Sequence, residues 1–269
     1  MDTLVTLRRR INAAEQTKKI TAAMELAAAA RARKNDGRRA GATAWKKELT
    51  ALAEELQLCG LIPDKYRQGG AKPCYVAIGG ERGLAGGYNA AALQLAGKEI
   101  PPGAPLLAVG TKLAEGLRSR GYETLSGPWE VFDLPRLGTA EQITGKILSL
   151  LSEGKADGVE LVAGGTRRRI LPLAAPKRKK ERDFLCDSDP GKMFDTLLPQ
   201  WLCALLYDAL VHSYGEEQKA RIIAMGDATR NADDMIANLG LQFTLLRQSQ
   251  ITGEIIEITG AAEALKGGR

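Results

Sequence analysis

Apolar side chains recur at coiled-coil spacing near both ends of the 269-residue chain. All 11 prolines lie between Pro63 and Pro199, and proline breaks helix interiors. We therefore predict a long helix at each end, with Gly37 and Gly41 allowing a bend in the first. Steps of 4, 3, 4 and 3 residues join one stripe in the N-terminal part and two in the C-terminal part: Trp45, Leu49, Leu52, Leu56, Cys59; Leu198, Leu202, Leu205, Ala209, His212; Ile251, Ile255, Ile258, Ala262, Leu265.

The two ends carry opposite net charge. Residues 1–59 have a net charge of +5, and residues 200–269 have a net charge of −3. Isolated helices obtain most of their stability from packing, so neither end can bury its stripe alone. The simplest solution packs the two ends against each other as a coiled coil. The alternative is two unrelated surface helices on a globular body, which their length disfavours.

The middle of the chain alternates between short apolar runs and helical patterns. The apolar runs at 74–80, 105–110 and 159–165 end in glycine, and helical patterns occupy 88–98, 111–121 and 139–153. Such alternation is typical of a parallel sheet with helices on its faces. The expected fold of this part is therefore α/β.

A glycine-rich loop, GGERGLAGGYN, spans residues 79–89 between a predicted strand and a predicted helix. Phosphate-binding loops occupy this position in α/β proteins. The loop contains neither G-x-G-x-x-G nor G-x-x-x-x-G-K-[ST], so a tight structural turn is the favoured interpretation. A nucleotide-binding α/β protein stays as an alternative.

A basic segment covers residues 166–184, with Arg167, Arg168 and Arg169 followed by a run at 177–182. Runs of like charge are usually solvated loops, and we expect a solvated loop here. The alternative is a coiled-coil adaptor whose basic loop binds nucleic acid or an anionic membrane surface. Phe184 is the only aromatic residue of the segment, which weakens the nucleic-acid interpretation.

Composition argues against a hydrolase and favours a scaffold or binding role. His212 is the only histidine, which excludes two-histidine metal sites and nearly all Ser-His or Cys-His mechanisms. The four cysteines form no C-x-x-C pair, and their spread fits a reduced cytosolic compartment. No apolar run approaches the roughly 18 residues of a membrane span. Four carboxylates near the C-terminus have no histidine or cysteine companions and are expected to be helix surface: Glu216, Glu217, Asp233 and Asp234.

Three blocks of the chain resemble the gamma subunit of F-type ATP synthases, and they occur in the order found in that family. The second block, ERGLAGGYN at 81–89, is similar to the family's D-R-G-L-C-G-G-x-N, with Ala85 in place of the usual cysteine. The third combines 216–236 with 247–265, where ITGEIIEI is similar to I-T-x-E-[IL]-x-E-I. The first block covers residues 8–34 and contains the family pattern at Ile11, Thr17, Lys19, Ile20, Thr21, Ala23, Met24 and Glu25.

The resemblance implies an α/β fold in which a long antiparallel coiled coil of the N- and C-terminal helices accompanies a central Rossmann-like α/β domain. The implied segments are 1–60 for the N-terminal coiled-coil helix, 72–185 for the central domain and 193–269 for the C-terminal coiled-coil helix. The basic run at 177–182 is not part of the family pattern.

The resemblance also implies a function. The chain would be a rotor subunit, without catalytic residues, metal or cofactor of its own. It would couple ion flow through the membrane ring to ATP synthesis or hydrolysis on the beta subunits by rotating inside the alpha3beta3 ring. The implied partners are the alpha, beta and epsilon subunits and the membrane c-ring, with no nucleic acid. The implied location is peripheral, at the cytoplasmic face of the cell membrane.

By motif match, two sets of residues are implicated. Contacts with the alpha/beta ring are expected from Met24, Arg221, Gln248, Thr252 and Glu254. A structural role in the glycine-rich loop is expected for Arg82, Gly83, Gly86, Gly87 and Asn89.

Overall fold

The computed structural model describes residues 3–125, 129, 134–173 and 190–267. The basic run at 177–182 therefore lies outside the described residues. The α-helices are α1 (Leu4–Leu58), α2 (Tyr88–Glu99), α3 (Thr111–Ser119), α4 (Leu137–Ser152) and α5 (Pro190–Gly267). The strands are β1 (Pro73–Ile78), β2 (Leu106–Val109), β3 (Gly158–Ala163) and β4 (Thr166–Leu171), and a 3₁₀ turn covers Asp64–Tyr66.

The chain divides into two compact units. The helical unit consists of Met1–Ala27 and Ile222–Arg269, and the α/β unit consists of Ala28–Arg221. Both terminal helices run through the two units, and α1 is continuous from Leu4 to Leu58. The bend that Gly37 and Gly41 would allow is therefore not used, although a Cβ at either position would meet no atom within 4 Å.

The sheet of the α/β unit has the order β2-β1-β3-β4. β1 is parallel to β2 and to β3, which confirms the predicted α/β arrangement. The three predicted strands are thus parallel, as expected, and the unpredicted edge strand β4 is antiparallel to β3, which makes the sheet mixed. Gly164 and Gly165 join β3 to β4 with φ of 57° and 77°, the positive values that a two-residue hairpin turn requires.

The hairpin also corrects the interpretation of the basic segment. Residues 166–171 were expected in a solvated loop, but they form the edge strand β4. The alternation of a strand places Arg167 and Arg169 on one face, where both pair with the buried carboxylate of Glu160. The carboxylate of Glu160 on β3 therefore stabilises the positive charges of two neighbouring arginines on β4.

Two apolar clusters lie on the two faces of this sheet. The larger one combines Val76 and Val159 with α4, the end of α1 and the part of α5 around Leu202 and Leu206. The smaller one packs α2 and α3 against the other face, around Ala77 and Leu106. The sheet is thus covered on both faces, as expected for parallel strands.

Within the α/β unit, α1 and α5 pack as an antiparallel pair. Buried positions recur every seven residues, at Ala28, Asn35 and Ala42 on α1 and at Ala204, Val211 and Gln218 on α5. A seven-residue repeat is the signature of a left-handed coiled coil. The Asn35 amide donates a 2.9 Å bond to the Val211 carbonyl, and the Trp201 indole donates to Thr50 at 3.1 Å. The predicted antiparallel coiled coil is confirmed.

The same repeat continues within the helical unit, where Leu7, Ala14 and Thr21 of α1 are buried. The hydroxyls of Thr21 and Thr229 lie 2.8 Å apart, and Lys18 pairs with Asp233 at 2.5 Å. In this register α1 begins opposite about residue 246 of α5.

Because of this register, the last apolar stripe of α5 does not pack against α1. The last apolar stripe of α5 was expected to pack on the N-terminal helix. Ile251, Ile255 and Ile258 are instead 45%, 56% and 69% exposed, because α1 does not extend far enough to cover them.

Candidate functional site

The glycine-rich loop 79–89 connects the carboxyl end of β1 to α2. The Asn89 amide donates a 2.9 Å bond to the Arg82 carbonyl, which closes the loop on itself. A Cβ at Gly80 would lie 1.9 Å from the Asn89 side-chain oxygen, so this close approach favours glycine. Gly86 has a φ of 52°, a region that residues with a side chain rarely adopt, whereas Gly83 and Gly87 border open space.

Helix α5 holds this loop through a buried ion pair. Arg221 donates to the Glu217 carboxylate at 2.6 Å, and both side chains are only 4% exposed. The same guanidinium donates to the Gly83 carbonyl at 3.1 Å and to the Arg82 carbonyl at 3.4 Å. The Glu217 carboxylate in turn accepts the backbone amides of Glu81 at 3.3 Å and Arg82 at 3.4 Å. Glu217 therefore accepts two backbone amides of the loop, and Arg221 donates to two of its backbone carbonyls.

A second contact between α2 and α5 flanks this ion pair. The Tyr88 hydroxyl lies 3.1 Å from the Ser213 carbonyl, to which it donates, and 2.6 Å from the Ser213 hydroxyl. Burial raises the pKa of Tyr88 to about 12, so the phenol keeps its proton and remains a donor.

The Glu81 carboxylate accepts hydrogen bonds at the N-terminus of α3. It accepts the Thr111 hydroxyl at 2.6 Å and the Thr111 backbone amide at 3.2 Å, at the first residue of α3. A carboxylate at a helix N-terminus is stabilised by the helix dipole. The chain's own carboxylates therefore occupy two positions at which an α/β protein would hold a phosphate, and this disfavours the nucleotide-binding alternative.

Sequence reasoning missed this cluster. Glu217 was expected on the helix surface, but it is 3% exposed. The i, i+4 spacing of Glu217 and Arg221 was the available signal, because such residues are neighbours on one helix face. The spacing does not reveal burial, since the loop that covers the pair is more than 130 residues away in sequence.

The helical unit exposes much apolar surface. Large apolar side chains project from both helices, with Leu26 72%, Ile223 65% and Leu245 66% exposed. So many exposed large apolar side chains on two helices favour a contact with another molecule. The exposed set in this unit is Val5, Ile20, Leu26, Ile223, Met235, Leu241, Leu245, Ile251, Ile255, Ile256 and Ile258.

The residues expected to contact the alpha/beta ring fall into two groups. Gln248, Thr252 and Glu254 are exposed on α5, and Met24 is half-buried on α1. The Arg221 side chain is buried within the chain, in contact with Glu217 and the glycine-rich loop. The ring contacts of all five residues stay predictions.

His212 lies in a polar cluster between α1 and α5 of the α/β unit. Its ring nitrogen is 3.4 Å from the Asp208 carboxylate, which also accepts Thr43 at 2.8 Å and Lys46 at 2.5 Å. Burial lowers the pKa of His212, and Arg39 and Lys46 lower it further, against the opposing effect of Asp208. The Thr43 hydroxyl also lies 3.3 Å from the His212 ring nitrogen, so these contacts hold His212 in a hydrogen-bonded packing cluster.

No candidate metal site occurs in the part of the chain that the structure describes. No three His, Cys, Asp or Glu side chains come together as metal ligands there. Burial raises the pKa of the Cys74 thiol to about 12, so this cysteine is not a nucleophile at neutral pH. Within the described residues, none of the helices is both long enough and apolar enough to cross a membrane.

Known proteins resemble this chain over almost all of its length. The family model described as ATP synthase matches residues 3–265. The ATP synthase gamma chain of Moorella thermoacetica is 33% identical, with 97% of this chain and 98% of the relative covered. The ATP synthase gamma chain, sodium ion specific, of Acetobacterium woodii is 30% identical, with 96% and 97% covered.

Solved structures share the fold. One chain comes from the mitochondrial ATP synthase of Euglena gracilis, in a structure of its OSCP, F1 and c-ring. It matches with a TM-score of 0.66 and 16% identity over 98% of this chain and 95% of its own length. A chain from the central stalk and c-ring of the Tetrahymena thermophila enzyme matches with a TM-score of 0.61 and 18% identity, over 78% and 99%. With this fold, a family match over residues 3–265 and 33% identity across nearly the full length of a relative, the chain belongs to the ATP synthase gamma chain family.

Proposed function

We propose that this chain is the rotor subunit of an F-type ATP synthase. It couples ion flow through the membrane ring to ATP synthesis or hydrolysis on the beta subunits by rotating inside the alpha3beta3 ring. The chain itself is non-catalytic, and it works at the cytoplasmic face of the cell membrane as a peripheral component. Its partners are the alpha, beta and epsilon subunits and the c-ring.

One structural observation carries the proposal beyond family membership. The helical unit exposes large apolar side chains on both of its helices, and α5 extends past α1 with Ile255, Ile256 and Ile258 more than half exposed. A two-helix shaft with an apolar surface suits a sleeve of other subunits, which would remove that surface from water.

Four residues are proposed to contact the alpha3beta3 ring: Met24, Gln248, Thr252 and Glu254. Their polar or flexible side chains lie at or near the surface of the helical unit. Only contacts that differ between rotational positions can shift a conformational equilibrium in the ring. Arg221 has an additional role, because its guanidinium is also engaged inside the chain. It holds the glycine-rich loop on α5 within the α/β unit.

The proposal is tested by isolating the tagged chain from its host membranes in mild detergent. We expect co-purification of the alpha and beta subunits together with ATPase activity. The double variant Ile255→Asp, Ile258→Asp should lose both, because it places charge on the surface that enters the sleeve. Glu153→Ala is a matched control, since Glu153 is exposed in the α/β unit and pairs with Lys155. Recovery of the tagged chain alone, without the ring subunits, would contradict the proposal.

A further inference from the structure

The backbone amides of Glu81 and Arg82 donate to the two oxygens of one carboxyl group, to which the guanidinium of Arg221 also donates. Two adjacent loop amides and an arginine form a donor set that suits an oxyanion. This carboxyl group belongs to Glu217, which comes from α5 and not from the loop itself. The loop therefore has the donors of an anion site, and a side chain of the same protein fills it.

Arg221 supplies an independent indication that the site suits a larger anion. Its side chain is 4% exposed, and its Nη1 atom is buried without any hydrogen-bond partner. The neighbouring Nη2 atom makes all of the contacts with Glu217 and the loop carbonyls. A buried guanidinium donor without an acceptor is costly, and the Glu217 carboxylate, which accepts the two amides and Nη2, makes no bond with Nη1.

We propose that the loop 79–89 is an oxyanion cradle occupied by the chain's own Glu217, and that removal of this carboxylate converts the cradle into a binding site for inorganic phosphate. Phosphate presents four oxygens in a tetrahedron, enough for both amides and for both terminal nitrogens of Arg221. Because Glu217 belongs to α5, its occupation of the cradle ties this helix to the loop. A free anion could satisfy the same donors but could not make that connection.

The test uses the full-length chain with Glu217→Ala, which empties the cradle and retains Arg221. Phosphate binding is followed by calorimetric titration and by the midpoint of thermal unfolding. We expect Glu217→Ala to bind phosphate at least about tenfold more tightly than the wild type, and its unfolding midpoint to rise with phosphate concentration. The double variant Glu217→Ala, Arg221→Ala should lose this binding.

Two controls isolate the cradle. Glu216→Ala removes the adjacent exposed carboxylate, which pairs with Lys219, and should not gain phosphate binding. Glu217→Gln keeps the cradle filled with an uncharged group of the same size and should bind phosphate no better than the wild type. Equal stabilisation of all variants by phosphate would be a general salt effect and would overturn the proposal.

Folding of the variant provides a second measurement. If Glu217→Ala is unfolded in the absence of phosphate, circular dichroism should show that added phosphate restores the helix content of the wild type. A variant that remains unfolded at every phosphate concentration would overturn the proposal, as would a folded variant that binds none.

Discussion

Arg221 and Glu217 form a 2.6 Å ion pair one helical turn apart on α5, and each side chain is 4% exposed. The pair touches a loop that begins at Gly79, so it connects the last helix of the chain with the first strand of the sheet. Buried ion pairs are strongly context-dependent, but removal of one member leaves the other as an unpaired buried charge.

Arg221→Ala should therefore destabilise the chain by about 3–5 kcal/mol, because Glu217 remains buried without its cation. Arg230→Ala is the matched control, since the ion pair of Arg230 with Asp227 is exposed and should be worth less than about 1 kcal/mol. Urea unfolding followed by circular dichroism measures both. Similar losses for the two variants would show that the buried pair has no special structural role.

Gly80→Ala should destabilise the chain by about 1–3 kcal/mol, because its Cβ would lie 1.9 Å from the Asn89 side-chain oxygen. Gly83→Ala, in the same loop but in open space, should change the free energy of unfolding by no more than about 0.5 kcal/mol. Thermal unfolding compares the two. The double variant Gly80→Ala, Asn89→Ala should recover part of the loss, since it removes the oxygen that clashes.

Gln248→Ala should leave the isolated chain as stable as the wild type, because Gln248 is exposed on α5. In the assembled complex, we expect ATP-driven ion pumping to fall more than ATP hydrolysis. The variant removes one proposed contact with the alpha3beta3 ring and leaves the coiled coil of α1 and α5 intact. Thr244→Ala serves as a control, because the Thr244 hydroxyl donates to the Gly240 carbonyl of its own helix. Equal losses of assembly and pumping would assign Gln248 a structural role.

Stability should fall in mild acid because of His212. Burial lowers the pKa of His212 in the folded chain below its unfolded value, so the unfolded state takes up the proton first as pH falls. The stabilisation is present above the unfolded pKa of about 6.5, and it is lost as pH falls from there through the folded pKa. His212→Gln should flatten this part of the curve in urea unfolding. An unchanged slope in the variant would exclude His212 as the cause.

The pattern of apolar and polar residues was sufficient for the main elements. The terminal helices, α2, α3, α4 and the first three strands all lie close to their predicted positions, because period 3.6 and short apolar runs are local properties. β4 was missed, since Arg167, Arg168 and Arg169 have no local signal for a strand. Only the pairing with β3 and the carboxylate of Glu160 makes this edge strand stable.

The sequence by itself determined the family, the coiled-coil character of both ends and the glycine-rich connection after β1, because motifs and spacings are written along the chain. The tertiary structure decided which polar residues are buried. Glu217 and Asp233 both read as helix surface, yet one is enclosed by a loop from the sheet and the other pairs with Lys18 at an exposed position. The tertiary structure also decided where α1 begins along α5, and so which isoleucines of α5 remain exposed. Burial depends on elements distant in sequence, which no local pattern encodes.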